Sequence, residues 1–164
     1  MDILLIYATV VGTIRFVGKK ELFAIPLFGK LLSIMGCIPI DRENPSRGGE
    51  FFQAIKKKLD DNVIMWIFPE GTRSRAGKLL PFKVGCFRLA HELSTQIVPV
   101  AINHTHKVLP PDTRTFRLNQ SISIRIGTPI NTADCSSIAA QKALLNRVQQ
   151  SIEQLMEHPL HATQ

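Results

Sequence analysis

Aromatic side chains other than Phe are scarce in this 164-residue chain, which holds one Trp and one Tyr. Grooves that bind single-stranded nucleic acid need basic residues interleaved with aromatic stacking platforms. No such interleaving is present, and Lys56-Lys57-Lys58 reads as the solvated face of a helix. A basic nucleic-acid-binding module is therefore disfavoured, and no nucleic-acid partner is expected. Cysteine is sparse as well. Cys37, Cys86 and Cys135 are odd in number, far apart and without a Cys-x-x-Cys pair. Neither a disulfide framework nor a Cys-based zinc site follows, and a reducing compartment is the simpler expectation. Long apolar runs are missing too. The opening run Ile3 to Ile14 contains Tyr7, Thr9, Gly12 and Thr13, whereas a spanning helix needs about 20 apolar residues. Nothing in the chain is expected to cross a bilayer, and Asp2 stands where a signal peptide would carry positive charge. Acidic residues are outnumbered, 13 against 20 Lys and Arg, leaving a net charge of +7. That balance favours anionic partners such as phosphates or an anionic membrane surface.

Hydrophobic residues make up 45% of the chain, ample for one packed domain. That domain is expected over residues 1–157, with residues 158–164 as a flexible tail. Ile3 to Val11 is apolar all round and reads as a buried helix or strand. Ile14–Gly18, Gly36–Arg42, Val63–Phe68, Ile97–Ile102 and Ile122–Gly127 read as strands. Between them, Lys20–Met35 predicts a helix that Pro26 must break or kink. Glu50–Asp60 predicts a helix with Phe51, Phe52, Ile55 and Leu59 on one face. Lys83–Ser94 and Ser136–Glu157 complete the helices, the last with Ile138, Leu144, Leu145, Val148, Ile152, Leu155 and Met156 at helical spacing. Strands alternating with helices imply an α/β fold with a mainly parallel (mixed) central sheet flanked by helices.

The most informative stretch is Phe68-Pro69-Glu70-Gly71-Thr72-Arg73-Ser74, directly after the apolar run Val63–Ile67, which reads as a deeply buried strand. In open α/β sheets ligands bind outside the carboxyl ends of strands. A carboxylate and a guanidinium delivered to such an end, with a Gly that lets backbone approach closely, point to a ligand site. Arg42 ends another charged strand. If the two strands are parallel neighbours, Arg42 and Arg73 converge, and two guanidiniums form a good phosphate clamp. Asn103-His104 and His106 lie on a strand-like segment, but no Cys or carboxylate stands at ligand spacing, so no metal is expected. Lys19, Lys20, Phe23, Ile25, Phe28 and Lys30 mix basic and apolar groups in one short segment. Such a segment can lie in a membrane interface and attract anionic lipid.

These residues resemble the ordered sequence blocks of the glycerolipid acyltransferases, nearest to the bacterial-type 1-acylglycerol-3-phosphate (lysophosphatidic acid) acyltransferases. Phe68–Ser74 looks like the third block and Gly36–Arg42 like the second. Val98-Pro99-Val100-Ala101-Ile102 looks like the fourth, and Val17–Leu22 with Ile25–Gly29 also has the family's look. The resemblance implies a glycerol-3-phosphate acyltransferase-like fold. It implies transfer of a fatty acyl group from acyl-CoA or acyl carrier protein to the sn-2 hydroxyl of lysophosphatidic acid, with no cofactor. Arg42, Glu70, Gly71, Thr72, Arg73 and Ser74 are then expected to hold phosphate and glycerol. Val98, Pro99 and Val100 are expected to line the acyl site. Lys19, Lys20, Phe23, Phe28 and Lys30 are expected at the interface, on the cytoplasmic face of a membrane to which the whole protein is anchored. Another lysophospholipid or glycerol-3-phosphate as acceptor, and a non-catalytic lysophosphatidate-binding role, remain open.

The family's first block is Asn-His-x-x-x-x-Asp, with the His as general base and the Asp as its orienting partner. Asp2 fits the place of that Asp, and the His falls five residues earlier, ahead of Met1. Asn103-His104 does not substitute, because Leu109 stands five residues beyond His104. The expectation is a chain that begins inside the block and turns over no acyl thioester alone. Turnover above a no-enzyme blank would refute it.

Overall fold

The computed structural model describes residues 2–41, 48–60, 62–72, 79–108, 113, 115, 117 and 119–157. In chain order the elements are α1 (Asp2–Thr9), β1 (Ile14–Lys19), α2 (Lys20–Phe23), α3 (Phe28–Ile34), β2 (Ile38–Ile40), α4 (Gly48–Asp60) and β3 (Ile64–Trp66). They continue with α5 (Gly85–Glu92), β4 (Val100–Asn103), α6 (Thr105–Val108), β5 (Ser123–Ile126) and α7 (Ile138–Glu157). The chain divides into two compact units, one of Ile6–Phe68 and one of Met1–Leu5 with Pro69–Gln164.

The Ile6–Phe68 unit is a parallel sheet in the order β2-β1-β3 with helical crossovers. Val17 of β1 pairs with Ile38 of β2, and Ile14 of β1 with Ile64 of β3. β1 is therefore the central strand, with β2 on its carboxyl half and β3 on its amino half. Ile14, Phe16, Ile38 and Ile55 are buried at its heart, together with Ile6 of α1. The opening apolar run is helical over Asp2–Thr9, and the Val10 N–H bonds back to the Ile6 carbonyl at 2.9 Å. The Phe16 ring meets Tyr7 edge-on at 5.1 Å and lies 6.2 Å from both Trp66 and Phe68.

Pro26 has the expected effect. α2 ends at Phe23 and α3 begins at Phe28, and the turn between them is closed by the Phe28 N–H to the Pro26 carbonyl at 2.7 Å and the Gly29 N–H to the Ile25 carbonyl at 2.8 Å. In α4 the expected face is also present, with Ile55 1% exposed and Lys56 and Lys57 outward. β3 departs from expectation. It is an end strand of its sheet, so Ile64 is 44% exposed and Met65 and Trp66 are only partly covered. Deep burial applies to Val63 ahead of it, not to the strand.

In the other unit β4 and β5 form an antiparallel pair, Val100 opposite Ile126 and Asn103 opposite Ser123. The sheet content is mixed, as expected, but divided into a parallel set and an antiparallel pair. α7 packs on β4 and α5 through Leu144, Val148 and Ile152, around Phe82, Phe87, Ala101, Ile130 and Cys135. Ile138, the first residue of α7, is 75% exposed and takes no part in that face. The buried Asn103 donates from its amide to the Ser123 hydroxyl and to the Leu155 carbonyl, each at 3.4 Å, so its polar group is satisfied where β4 meets α7. All three cysteines are free, and burial pushes the Cys86 thiol up to about 11.

Candidate functional site

Parallel strands deliver their carboxyl ends to one edge of a sheet, and the charged sequence stretches follow two such ends. In the Ile6–Phe68 unit, β1 ends at Lys19 and β2 at Ile40, with Lys19 opposite Ile40 in register. The next residue on each chain, Lys20 and Asp41, form an ion pair at 3.1 Å between neighbouring strand ends. Lys20 keeps 55% of its side chain exposed, so the pair is worth no more than about 1 kcal/mol. Its effect is positional: it holds an ammonium at the ligand edge of the central strand. Arg42, expected beside it, lies outside the described residues. β1 stands between β2 and β3, so the strands that precede Arg42 and the Phe68–Ser74 stretch are not neighbours.

In the other unit the site loop begins at Pro69. Gly71 has φ +71°, a backbone conformation that side chains with a Cβ adopt only under strain, so a glycine is required for the turn. The Glu70 carboxylate Oε2 accepts the Leu80 backbone N–H at 3.0 Å. The Pro69 carbonyl accepts the Lys83 N–H at 2.8 Å. These two bonds tie both ends of the loop together. Glu70 thus acts first on the loop's own backbone, a role that sequence reading did not find. The bond joins positions ten residues apart, and no local spacing rule announces it. Burial pushes the Glu70 carboxyl up from its usual 4.5, and the Leu80 hydrogen bond opposes that shift. Thr72 is exposed, while Arg73 and Ser74 lie outside the described residues.

Glu70→Ala is expected to destabilise the chain by about 1–2 kcal/mol, because the Leu80 N–H loses its acceptor. Glu70→Gln keeps a carbonyl acceptor and is expected to stay within about 0.5 kcal/mol of the parent at pH 7. The two differ again with pH. The folded carboxyl has a raised pKa, so ionisation opposes folding as pH rises through the carboxylate range, and the burden is absent below 4.5. The parent should therefore gain on Glu70→Gln as pH falls towards 4. Urea unfolding at several pH values checks both points, and equal losses for Ala and Gln would remove the acceptor role.

The remaining expected positions lie on several elements. Asp2 is the first residue of α1. Val98 is 46% exposed, Pro99 is fully buried and Val100 opens β4 half-buried. A buried Pro99 presents nothing to a ligand, so Val98 is the side chain of the three with open surface. Its neighbour's carbonyl, at Pro99, accepts the Gly127 N–H at 2.8 Å and fixes the segment. Lys19 and Lys30 are exposed, Phe28 is 43% exposed and Phe23 is half-buried under Gly18. The segment after β4 is not strand-like: His104 has φ +69° and residues 105–108 are the short helix α6. Alternation of His104 and His106 along a strand is therefore excluded.

Residues 1–103 match the family model described as Acyltransferase. The chain is 43% identical over 91 residues to a 1-acyl-sn-glycerol-3-phosphate acyltransferase of Haemophilus influenzae, covering 55% of this chain and 38% of that protein. It is 40% identical over 126 residues to the protein of the same name from Limnanthes douglasii, covering 76% and 44%. The chain thus spans less than half the length of either relative. Among solved structures, the crystal structure of the 1-acyl-sn-glycerophosphate (LPA) acyltransferase PlsC from Thermotoga maritima superposes with a TM-score of 0.70 at 27% identity, covering 97% of this chain and 63% of that one.

Proposed function

Because the chain belongs to the acyltransferase family, we propose that it supplies the headgroup-binding part of an enzyme that acylates the sn-2 hydroxyl of 1-acylglycerol-3-phosphate to give phosphatidic acid. The observation that carries this reading is the loop after β3, turned at Gly71 and closed by the Glu70–Leu80 hydrogen bond. That turn leads in sequence into Thr72, Arg73 and Ser74, whose hydroxyls and guanidinium suit a phosphate monoester. Arg42, which follows β2 in sequence, is a further guanidinium suited to the phosphate. Lys20, held at the end of β1 by Asp41, adds an ammonium on the same ligand edge of its sheet.

In the acyl transfer the sn-2 oxygen attacks the thioester carbonyl carbon. The hydroxyl proton passes to the His of the family's first block, and the thiolate leaves and takes the proton back. Asp2 orients that His and stabilises its imidazolium. Acyl-CoA and acyl carrier protein present the same thioester chemistry, and Val98 lies on the acyl side. The reaction belongs at the cytoplasmic face of a membrane, where the substrate resides. Among the described residues no helix is long and apolar enough to cross a bilayer.

The test is titration calorimetry of the chain with short-chain lysophosphatidate, glycerol-3-phosphate and lysophosphatidylcholine. Lysophosphatidate should bind best. Arg73→Ala and Arg42→Ala should each weaken it by about 10- to 100-fold, the worth of a charge-assisted phosphate contact. Equal affinity of parent and both variants, or preference for lysophosphatidylcholine, would discard the reading.

A further inference from the structure

Among the described residues, the largest cluster of exposed apolar side chains lies on the α2–α3 hairpin. Leu27 is 88% exposed, Ile34 73%, Leu31 50%, Ile25 47%, Phe28 43% and Leu22 37%. Soluble surfaces scatter such residues singly, and a contiguous patch marks an interaction site. The helical period explains the clustering. Leu31 and Ile34 are spaced i, i+3 on one face of α3, with Leu27 at the cap just before the helix, while Gly29 and Leu32 are buried.

Two further features decide what the stripe fits. The first is backbone geometry at its tip. Leu27 has φ +66°, a conformation costly for a leucine, and it presents the most exposed of these side chains at the turn. Hydrogen bonds within the hairpin hold that conformation, the Leu27 carbonyl accepting the Leu31 N–H at 3.0 Å, and leave the side chain outward. The second is charge. Exposed Lys19 and Lys20 stand at the hairpin's base and exposed Lys30 flanks the stripe, against one exposed acid, Glu21. Two copies meeting through this face would set lysines against lysines, which opposes self-association. An anionic lipid surface neutralises them and accepts the apolar ridge.

We propose that the α2–α3 hairpin is the membrane-docking element of this protein: Leu27, Leu31 and Ile34 enter the acyl boundary of an anionic leaflet, with Lys30 at the headgroup level. This deepens the membrane part of the proposed function and rests on it for its purpose. Vesicle binding is measured with no acyl donor or lysophosphatidate present, so its failure is separate from a failure of headgroup binding.

The experiment is flotation of the full chain with phosphatidylcholine vesicles, with and without phosphatidylglycerol. The parent should float with both and better with the anionic ones. Leu27→Glu/Leu31→Glu/Ile34→Glu should lower partitioning to both by on the order of 1000-fold, since burying each such side chain is worth about tenfold. Ile34→Glu alone, at a site 73% exposed, leaves folding intact and should cost about tenfold. Lys30→Ala should cost about fivefold on anionic vesicles and nothing on neutral ones. Ile138→Glu removes an apolar side chain that is 75% exposed on α7 and should change nothing. Unchanged flotation of the triple and Ile34→Glu variants would overturn the proposal. So would a parent that ignores vesicles but sediments as a dimer that Ile34→Glu dissociates, which would assign the face to a second copy.

Discussion

Phe16→Ala is expected to destabilise the chain by about 3–5 kcal/mol, the cost of emptying a buried aromatic site, and to lower the melting temperature by about 10 °C. Phe16 is 2% exposed and sits on the central strand of the parallel sheet. Its ring is met edge-on by Tyr7 at 5.1 Å and lies nearly parallel to Phe68, at 11° and 6.2 Å. Trp66 approaches it at 6.2 Å from β3. Truncation removes one partner from three aromatic pairs at once, each worth about 0.5–1.5 kcal/mol beyond area. The site shares the consequence, because Phe68 is the residue from which Pro69 and Glu70 depart. The single Trp reports on this directly: Trp66 emission should shift to the red in the folded variant. Phe16→Leu, which refills most of the volume, should recover about half of the stability. Calorimetry decides the matter, and a melting temperature within about 2 °C of the parent would contradict the assignment of Phe16 as the hub.

Gly29→Ala is expected to cost about 3 kcal/mol or more, at the upper end of overpacking. A Cβ at this position would lie 2.0 Å from the Phe23 carbonyl oxygen and 2.5 Å from its carbon. Those atoms are backbone and cannot rotate aside. The turn is also closed by the Gly29 N–H to the Ile25 carbonyl, so the two helices can admit a methyl only by separating. The same substitution at Gly49 meets nothing within 4 Å in α4 and should stabilise by about 0.5–1 kcal/mol. One chemical change with opposite signs at two helical glycines separates close packing from helix propensity. Gly29→Ala should also weaken flotation, since Leu27 and Leu31 sit on the turn and helix that must move. Paired urea titrations of the two variants measure the contrast, and equal effects would refute the steric account.

Local order carried most of the fold. Each of the five expected strands is present, because apolar runs bounded by Gly, Pro and charge leave few alternatives. Pro26 broke its helix where a missing N–H must, and the α4 face followed the period. The exceptions share one physical origin. β3 was read as deeply buried from composition, but exposure depends on which strands flank it, and it ends its sheet. Residues 105–108 alternate in chemistry yet turn into a helix after His104 at φ +69°.

By itself the sequence determined the chemistry this protein carries: a carboxylate, a turn-forming glycine, hydroxyls and a guanidinium delivered by a strand, and basic residues mixed with apolar ones around Pro26. Those properties belong to side chains and their spacing, which are local. Only the tertiary structure decided what each group touches. It assigned Glu70 to the Leu80 N–H, paired Lys20 with Asp41, buried Pro99 and turned Leu27, Leu31 and Ile34 outward. Hydrogen bonds and burial arise from residues 10 to 21 positions apart or more, and those separations are closed only when the chain has folded.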